Sequence, residues 1–284
     1  MRTKRINTKT LLGNSLLQLV LIVWAIGQII PILWQIISSF KTTSEIQIDL
    51  FALPKSLYLG NYDFTKLADL GTPMGIFFRN SIVITIGTIA IMLPIAYIAA
   101  YVIAKYKFKG KNVVLFILIM LIGIPLHALV VPIYYMISEM NLLNRYFGLI
   151  LPYAGYFCPF AILILQSFFR EFPDELIEAA KIDGCNNLQA FIKVVFPISL
   201  GAISTILIIN FIQVWNEFLL ALVIMTKTES RTLPVGIVVH QGQWITEWGP
   251  IYATLVIAIL PTILIYLIFH RNIIKGVAAG AIKG

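Results

Sequence analysis

Apolar residues in this chain come in long unbroken runs separated by short polar stretches. A helix crosses the hydrocarbon core of a bilayer in about 20 mostly apolar residues. Runs of that length lie at about 14–38, 80–104, 113–137, 147–169, 199–225 and 251–269. Unpaired backbone groups are costly in lipid, so these runs predict helices rather than strands. The alternating pattern of a membrane barrel is absent. The first run has no charge from Thr10 to Phe40, and tilt or an end lying in the interface takes up its excess length. The expected fold is an all-α polytopic membrane protein with six transmembrane helices.

Composition narrows the function classes. Hydrophobic residues make up 59% and charged residues 12% of the 284, against about 45–50% and 25% in soluble domains. The formal net charge of +8 would suit a nucleic acid only if it formed one basic face. Here Lys and Arg sit between the apolar runs, so no nucleic-acid partner is expected and membrane lipid is. Cys158 and Cys185 form neither a disulfide framework nor a zinc-ligand spacing and read as free thiols. The basic start (Arg2, Lys4, Arg5, Lys9) before an apolar run imitates a signal peptide. That run is too long and lacks a small-residue cleavage site, so it reads as an uncleaved first span.

Lys and Arg near the span ends predict orientation. With the N-terminus in the cytoplasm, inside segments carry fourteen of them and outside segments seven. Both termini are therefore expected inside. No phosphate-binding Gly-rich loop, metal cluster, nucleophile–base set or internal repeat stands out. No cofactor and no catalytic residue is expected.

The stretch Arg170–Pro197 is the most informative polar segment. Pro173 can open a helix, and Asp174 and Glu175 suit the positive end of its dipole. Leu176, Ala179 and Ala180 recur at helical spacing as a short apolar face. Gly184 suits a left-handed helix end, and Asn186 or Asn187 can cap a second helix that Pro197 separates from the fifth span. Five acids against three bases disfavour anionic lipid as the neighbour of this helix–turn–helix. A protein partner fits better; the plain alternative is a solvated connector.

Glu178-Ala179-Ala180, Asp183-Gly184 and Pro197, preceded by Phe172-Pro173, resemble the EAA loop of ABC-transporter permeases. Asn80-Ser81, Trp215-Asn216-Glu217-Phe218 and the C-terminal run Gly276–Gly284 resemble the same family. Together they point to its binding-protein-dependent carbohydrate importers, of the kind represented by the maltose permease G subunit. Two positions depart from the pattern: Val194-Val195-Phe196-Pro197 replaces Ile-x-Leu-Pro, and Leu200 stands where a second proline is frequent.

The resemblance implies a type I ABC-importer permease in a bacterial inner or plasma membrane. Its partners would be a second homologous permease subunit, an ATPase pair, an extracytoplasmic solute-binding protein and a carbohydrate substrate. Residues 1–75 would hold the first helix and first external loop, 76–270 the permease core with the coupling loop 170–197, and 271–284 a cytoplasmic tail. In the coupling loop Gly184 would make the turn, Glu178 and Asp183 would be polar anchors, and Ala179 and Ala180 a close-packing surface.

Glu217 is the acidic residue within a span interior, and a charge there is costly unless it meets a partner or a wet cavity. Asn210 and Gln213 precede it at helical spacing, and Asn216 adjoins them. Amide-rich surface suits a neutral, hydroxyl-rich solute; equally, these residues are polar glue between helices. His127 reads as a buried hydrogen-bonding group or a proton relay. Trp244, Trp248, Gln241 and Gln243 read as an interfacial belt or a solute or binding-protein contact, and Tyr97, Tyr101, Tyr134 and Tyr135 as a belt. The rival functions are import of another solute, such as a phosphorylated polyol or a peptide, a stand-alone secondary transporter or channel, and a membrane enzyme using His127 and Glu217.

Overall fold

The computed structural model describes residues 8–63, 73–239 and 247–281. Trp244, Gln241, Gln243 and the basic residues Arg2, Lys4 and Arg5 lie outside these. The described residues form helices and turns without strands: α1 (Thr8–Ser38), α2 (Thr43–Ile48), α3 (Met74–Lys105), α4 (Lys111–Ile122), α5 (Leu126–Glu139), α6 (Phe147–Glu171), α7 (Asp174–Ile182), α8 (Asn187–Ala190), a π-turn (Phe191–Val195), α9 (Phe196–Trp215), α10 (Leu219–Ile224), α11 (Leu233–Val239) and α12 (Trp248–Ala281).

Among the described residues five stretches are long and apolar enough to cross a membrane, and α4 with α5 makes a sixth if that bent pair is one span. The expected third span is thus broken, its halves meeting at 99°. Pro125, in extended conformation (φ −69°, ψ 138°), stands directly before α5, has no N–H to donate and disfavours helical backbone at Ile124. The Ile124 carbonyl freed by the break accepts from the Tyr156 hydroxyl at 3.1 Å.

The fifth span also differs from its expected bounds. It ends at Trp215, and Asn216–Phe218 separate it from α10. At its other end Pro197 makes no break, since one helical stretch runs from Asn187 to Trp215. The π-turn explains this: the Phe196 N–H reaches the Phe191 carbonyl five residues back, and the wider turn makes room for the proline ring in the first turn of α9.

The core lies between α3 and α6. Ala96, Ala100 and Ala161 are wholly buried, and small residues let helix backbones approach closely where lipid supplies no hydrophobic drive. At Gly87 a Cβ would sit 2.8 Å from Ile150 Cδ1. A second cluster (Met74, Phe77, Phe211, Trp215, Leu233) joins α3, α9 and α11. Trp215 stacks on Phe211 at 5.6 Å and donates from Nε1 to the Ala258 carbonyl of α12 at 3.0 Å. Between α1 and α3, Lys41 is buried; its Nζ donates to the Leu50 carbonyl at 3.1 Å and lies 5.1 Å from the Trp34 ring.

Candidate functional site

α3 is 32 residues long, about 48 Å at 1.5 Å per residue, so its two ends mark opposite ends of the bundle. Segment 170–197 lies at the Lys105 end. There α7 starts directly after Pro173, with Asp174 and Glu175 in its first turn. Gly184 is left-handed (φ +87°). Its N–H reaches the Lys181 carbonyl at 3.0 Å, and the Cys185 N–H reaches that of Ala180 at 2.9 Å. This pair of bonds is the Schellman ending of a helix. Asn186, not Asn187, caps α8: its side chain accepts from the Gln189 N–H at 2.8 Å, and Gln189 Oε1 accepts from the Asn186 N–H at 3.0 Å.

The faces of α7 divide the expected residues. Ala180 is buried against its own chain and Ile177 packs on the core. Glu178, Ala179, Asp183 and Gly184 are exposed, with Leu176, Ile182 and Leu188 beside them. The two alanines therefore do not share one surface, because consecutive helical residues point about 100° apart. Lys105, unsuspected in the sequence, links α7 to α3. Its Nζ donates to the Phe172 carbonyl at 2.5 Å and to Asp174 Oδ1 at 2.6 Å. Above this link Tyr97 and Tyr101 are buried, not at a lipid interface: both rings lie within 5.5 Å of Phe169 and Phe191, and the Tyr97 and Ser199 hydroxyls are 2.8 Å apart.

The intramembrane polar residues do not form one face. Because α9 stops at Trp215, Glu217 lies beyond it. Glu217 Oε1 accepts from the Leu220 N–H at 2.9 Å and Oε2 from the Ala221 N–H at 3.2 Å, so the carboxylate caps the start of α10. The hydroxyl of Tyr153, buried in α6, donates to the same carboxylate. Asn210 is buried, donating from Nδ2 to the Ile206 carbonyl at 2.9 Å. Gln213 and Asn216 are exposed. Asn216 lines a cavity of about 490 Å³ with Trp215, Phe218, Leu233, Ile237 and Thr262. The rest of the cavity lining is mainly aliphatic. Asn216 Nδ2 donates to the Ile212 carbonyl at 3.0 Å, which leaves Asn216 Oδ1 and the Thr262 hydroxyl as polar groups able to meet a neutral, hydroxylated solute.

His127 is exposed at the start of α5, beside the break, and is not the buried hydrogen-bonding group expected. Among the described residues no group of three or more His, Cys, Asp or Glu could hold a metal ion. Tyr153 left no local trace in the sequence, whereas Glu217 did: an acid three residues before Leu220, opening an apolar run, is the spacing of a capping carboxylate.

Residues 92–279 match the family of inner membrane components of binding-protein-dependent transport systems. The chain belongs to that family. Its relatives include the multiple sugar-binding transport system permease MsmG of Streptococcus mutans, 36% identical over 259 residues, 90% of this chain and 92% of that protein. The diacetylchitobiose uptake permease NgcG of Streptomyces coelicolor is 31% identical over 93% of this chain and 87% of its own length. The trehalose/maltose permease MalG of Thermococcus litoralis is 31% identical over 93% and 94%. A chain from the crystal structure of a bacterial ABC transporter that imports the acidic polysaccharide alginate aligns at a TM-score of 0.81, covering 95% of this chain and 100% of that one. At 20% identity that likeness concerns the fold alone, and the fold is that of an ABC-importer permease. This permease thus has a multi-pass helical architecture and a membrane location that agree with its apolar helices.

Proposed function

We propose that this permease is one of two membrane subunits of an ATP-driven, binding-protein-dependent sugar importer. Both termini and the loops around Lys105 and 170–197 face the cytoplasm. One subunit of an ATPase pair docks on α7–α8, and closure of that pair is carried into α9 through the unbroken helical stretch 187–215. An external binding protein delivers the solute at the opposite end. The chain performs no catalysis itself.

The observation that carries the coupling role is the exposed turn of the helix–turn–helix. Glu178, Ala179, Asp183 and Gly184 point away from the chain, joined by Ile182 at 86% exposure. Leu176 and Leu188 of the same loop are exposed with it, and several exposed apolar side chains gathered in one loop suit a protein contact, where a single one would need no explanation. The sugar class rests on the names of the relatives, supported by the cavity at Asn216, which is mainly aliphatic and has no charged side chain in its lining. An anionic solute would call for Lys or Arg there.

Gentle affinity purification from the native membrane tests the reading. The expected result is co-purification of a second multi-span chain and an ATPase, with ATP-dependent sugar uptake after reconstitution. Recovery of this chain alone, transporting without ATP, overturns it and makes Glu217 the candidate for ion coupling.

A further inference from the structure

At the Met74 end of α3 a polar clasp joins three separate segments. Asn80 is wholly buried. Its Nδ2 donates to the Glu229 carbonyl at 2.8 Å and to the Arg231 carbonyl at 3.0 Å, while its Oδ1 accepts from the Tyr146 hydroxyl at 2.8 Å. The neighbouring Ser81 Oγ accepts from the Leu233 N–H at 2.8 Å, an amide at the start of α11 with no partner inside its own helix. From the other side Asn144, left-handed at φ 60°, accepts at Oδ1 from the Lys227 N–H at 2.8 Å and the Ser230 hydroxyl at 2.9 Å.

Segment 226–232 has one short 3-10 turn, Thr228–Ser230, whose Ser230 N–H to Lys227 carbonyl bond at 3.0 Å uses neither the Glu229 nor the Arg231 carbonyl. Those two carbonyls are bound instead by an amide that donates twice and accepts once, which a hydroxyl or a carboxylate cannot do. The clasp delivers α11 to a fixed place. Gly236 lies so close to Phe77 of α3 that a Cβ would strike the ring. Leu233, Pro234, Ile237 and Val238 then form the wall of the 490 Å³ cavity that faces Trp215 and Asn216.

We propose that Asn80 and Ser81 are positioning residues that fix α11 as one wall of the solute cavity and so set the size of neutral, hydroxylated solute it admits. This rests on the sugar-importer reading for the identity of the solute, but not for the placement of α11. Two variants test it. Ser81→Ala frees the Leu233 amide, and Asn80→Leu keeps the bulk while removing all three amide bonds.

Spin labels on exposed Gln213 and Val238 report the width of the cavity in the purified permease. The expected result is a broadened and longer distance distribution in both variants; an unchanged distribution overturns the proposal. In the reconstituted complete transporter, the ratio of kcat/KM for trehalose against maltotriose is expected to move by about 5-fold or more toward the larger sugar. Most of that change should fall in KM, as for interactions that shape binding rather than turnover. A fall in kcat shared equally by both sugars, with their ratio kept, also overturns the proposal and leaves the clasp structural. If the unaltered transporter imports neither these two sugars nor any other of a panel of mono- and oligosaccharides with ATP, the sugar reading fails, while the spin-label distances still decide the clasp.

Discussion

Glu217, taken alone, is a charge in an apolar run and looks expensive. In the fold the expense is met by three donors: two backbone amides at the start of α10 and the buried Tyr153 hydroxyl. A carboxylate so engaged supports the reading of helix glue over that of a solute ligand, and Asn216 becomes the better candidate for the solute. Glu217→Ala would leave those donors without their acceptor, each costing about 1–3 kcal/mol if it stays buried. The expected outcome is a clear drop in thermal midpoint in detergent and poor assembly, with sugar preference kept in what assembles. Tyr153→Phe removes one donor and leaves the cap, so its loss should be smaller, about 1.5–3 kcal/mol for one bond to a charged group. A double-mutant cycle should give a coupling between the two sites; strict additivity would argue against the contact. Asn216→Ala, on an exposed side chain, should change stability little and raise KM. The partner of Glu217 lies 64 residues away, so no local pattern could reveal it; the capping half of the arrangement is local and was readable.

Among the elements, the helix–turn–helix was almost wholly legible, because its determinants act within a few residues: Pro173, the left-handed Gly184, the Asn186 cap. The breaks in the third and fifth spans were not. The fifth-span break at Asn216–Phe218 carries no proline, and membrane helices tolerate proline when neighbours satisfy the freed groups, so Pro125, which breaks a span, and Pro197, which does not, look alike in sequence. One ends a helix and the other passes through a π-turn. At the Gly184 turn, Gly184→Pro is expected to abolish uptake while the protein still reaches the membrane. Ala180→Trp, which forces a large ring into a buried site, should do the same; uptake at normal abundance by either variant would argue against the coupling role. Gly184→Asn should retain more activity than Gly184→Ala, since Asn tolerates left-handed backbone that costs Ala about 1–2 kcal/mol.

The link from Lys105 to Phe172 and Asp174 makes a separate prediction. Asp174 is 71% exposed, and exposed ion pairs contribute only about 0–1 kcal/mol. The Lys105 side chain is itself only 10% exposed and also holds the Phe172 carbonyl, so Lys105→Met should lower the thermal midpoint modestly, by about 1–3 kcal/mol of stability. If α7 drives α3 through this contact, the ATP hydrolysed per sugar imported should rise. A ratio equal to that of the unaltered transporter would show that movement passes through α8 and the π-turn alone.

At the scale of the whole molecule, lipid made the architecture readable, because a bilayer permits little besides helices and demands their length. What hydropathy alone leaves open is which way the bundle faces. The excess of Lys and Arg on one set of loops gives the expected direction, and the proposed mechanism depends on it: it requires α7–α8 to share a compartment with the ATPases and the Asn80 clasp to face the binding protein. Two sites at opposite ends of α3 provide the check. With Cys158 and Cys185 replaced by Ser, a single cysteine at exposed Lys109, between α3 and α4, should be shielded from a membrane-impermeant maleimide in intact cells and react in inside-out vesicles. A single cysteine at exposed Lys227, beside the clasp, should do the reverse. The same labelling at both sites from one side of the membrane would break the six-span count; an exchange of the two patterns would keep the fold and place the helix–turn–helix outside, where no ATPase could reach it.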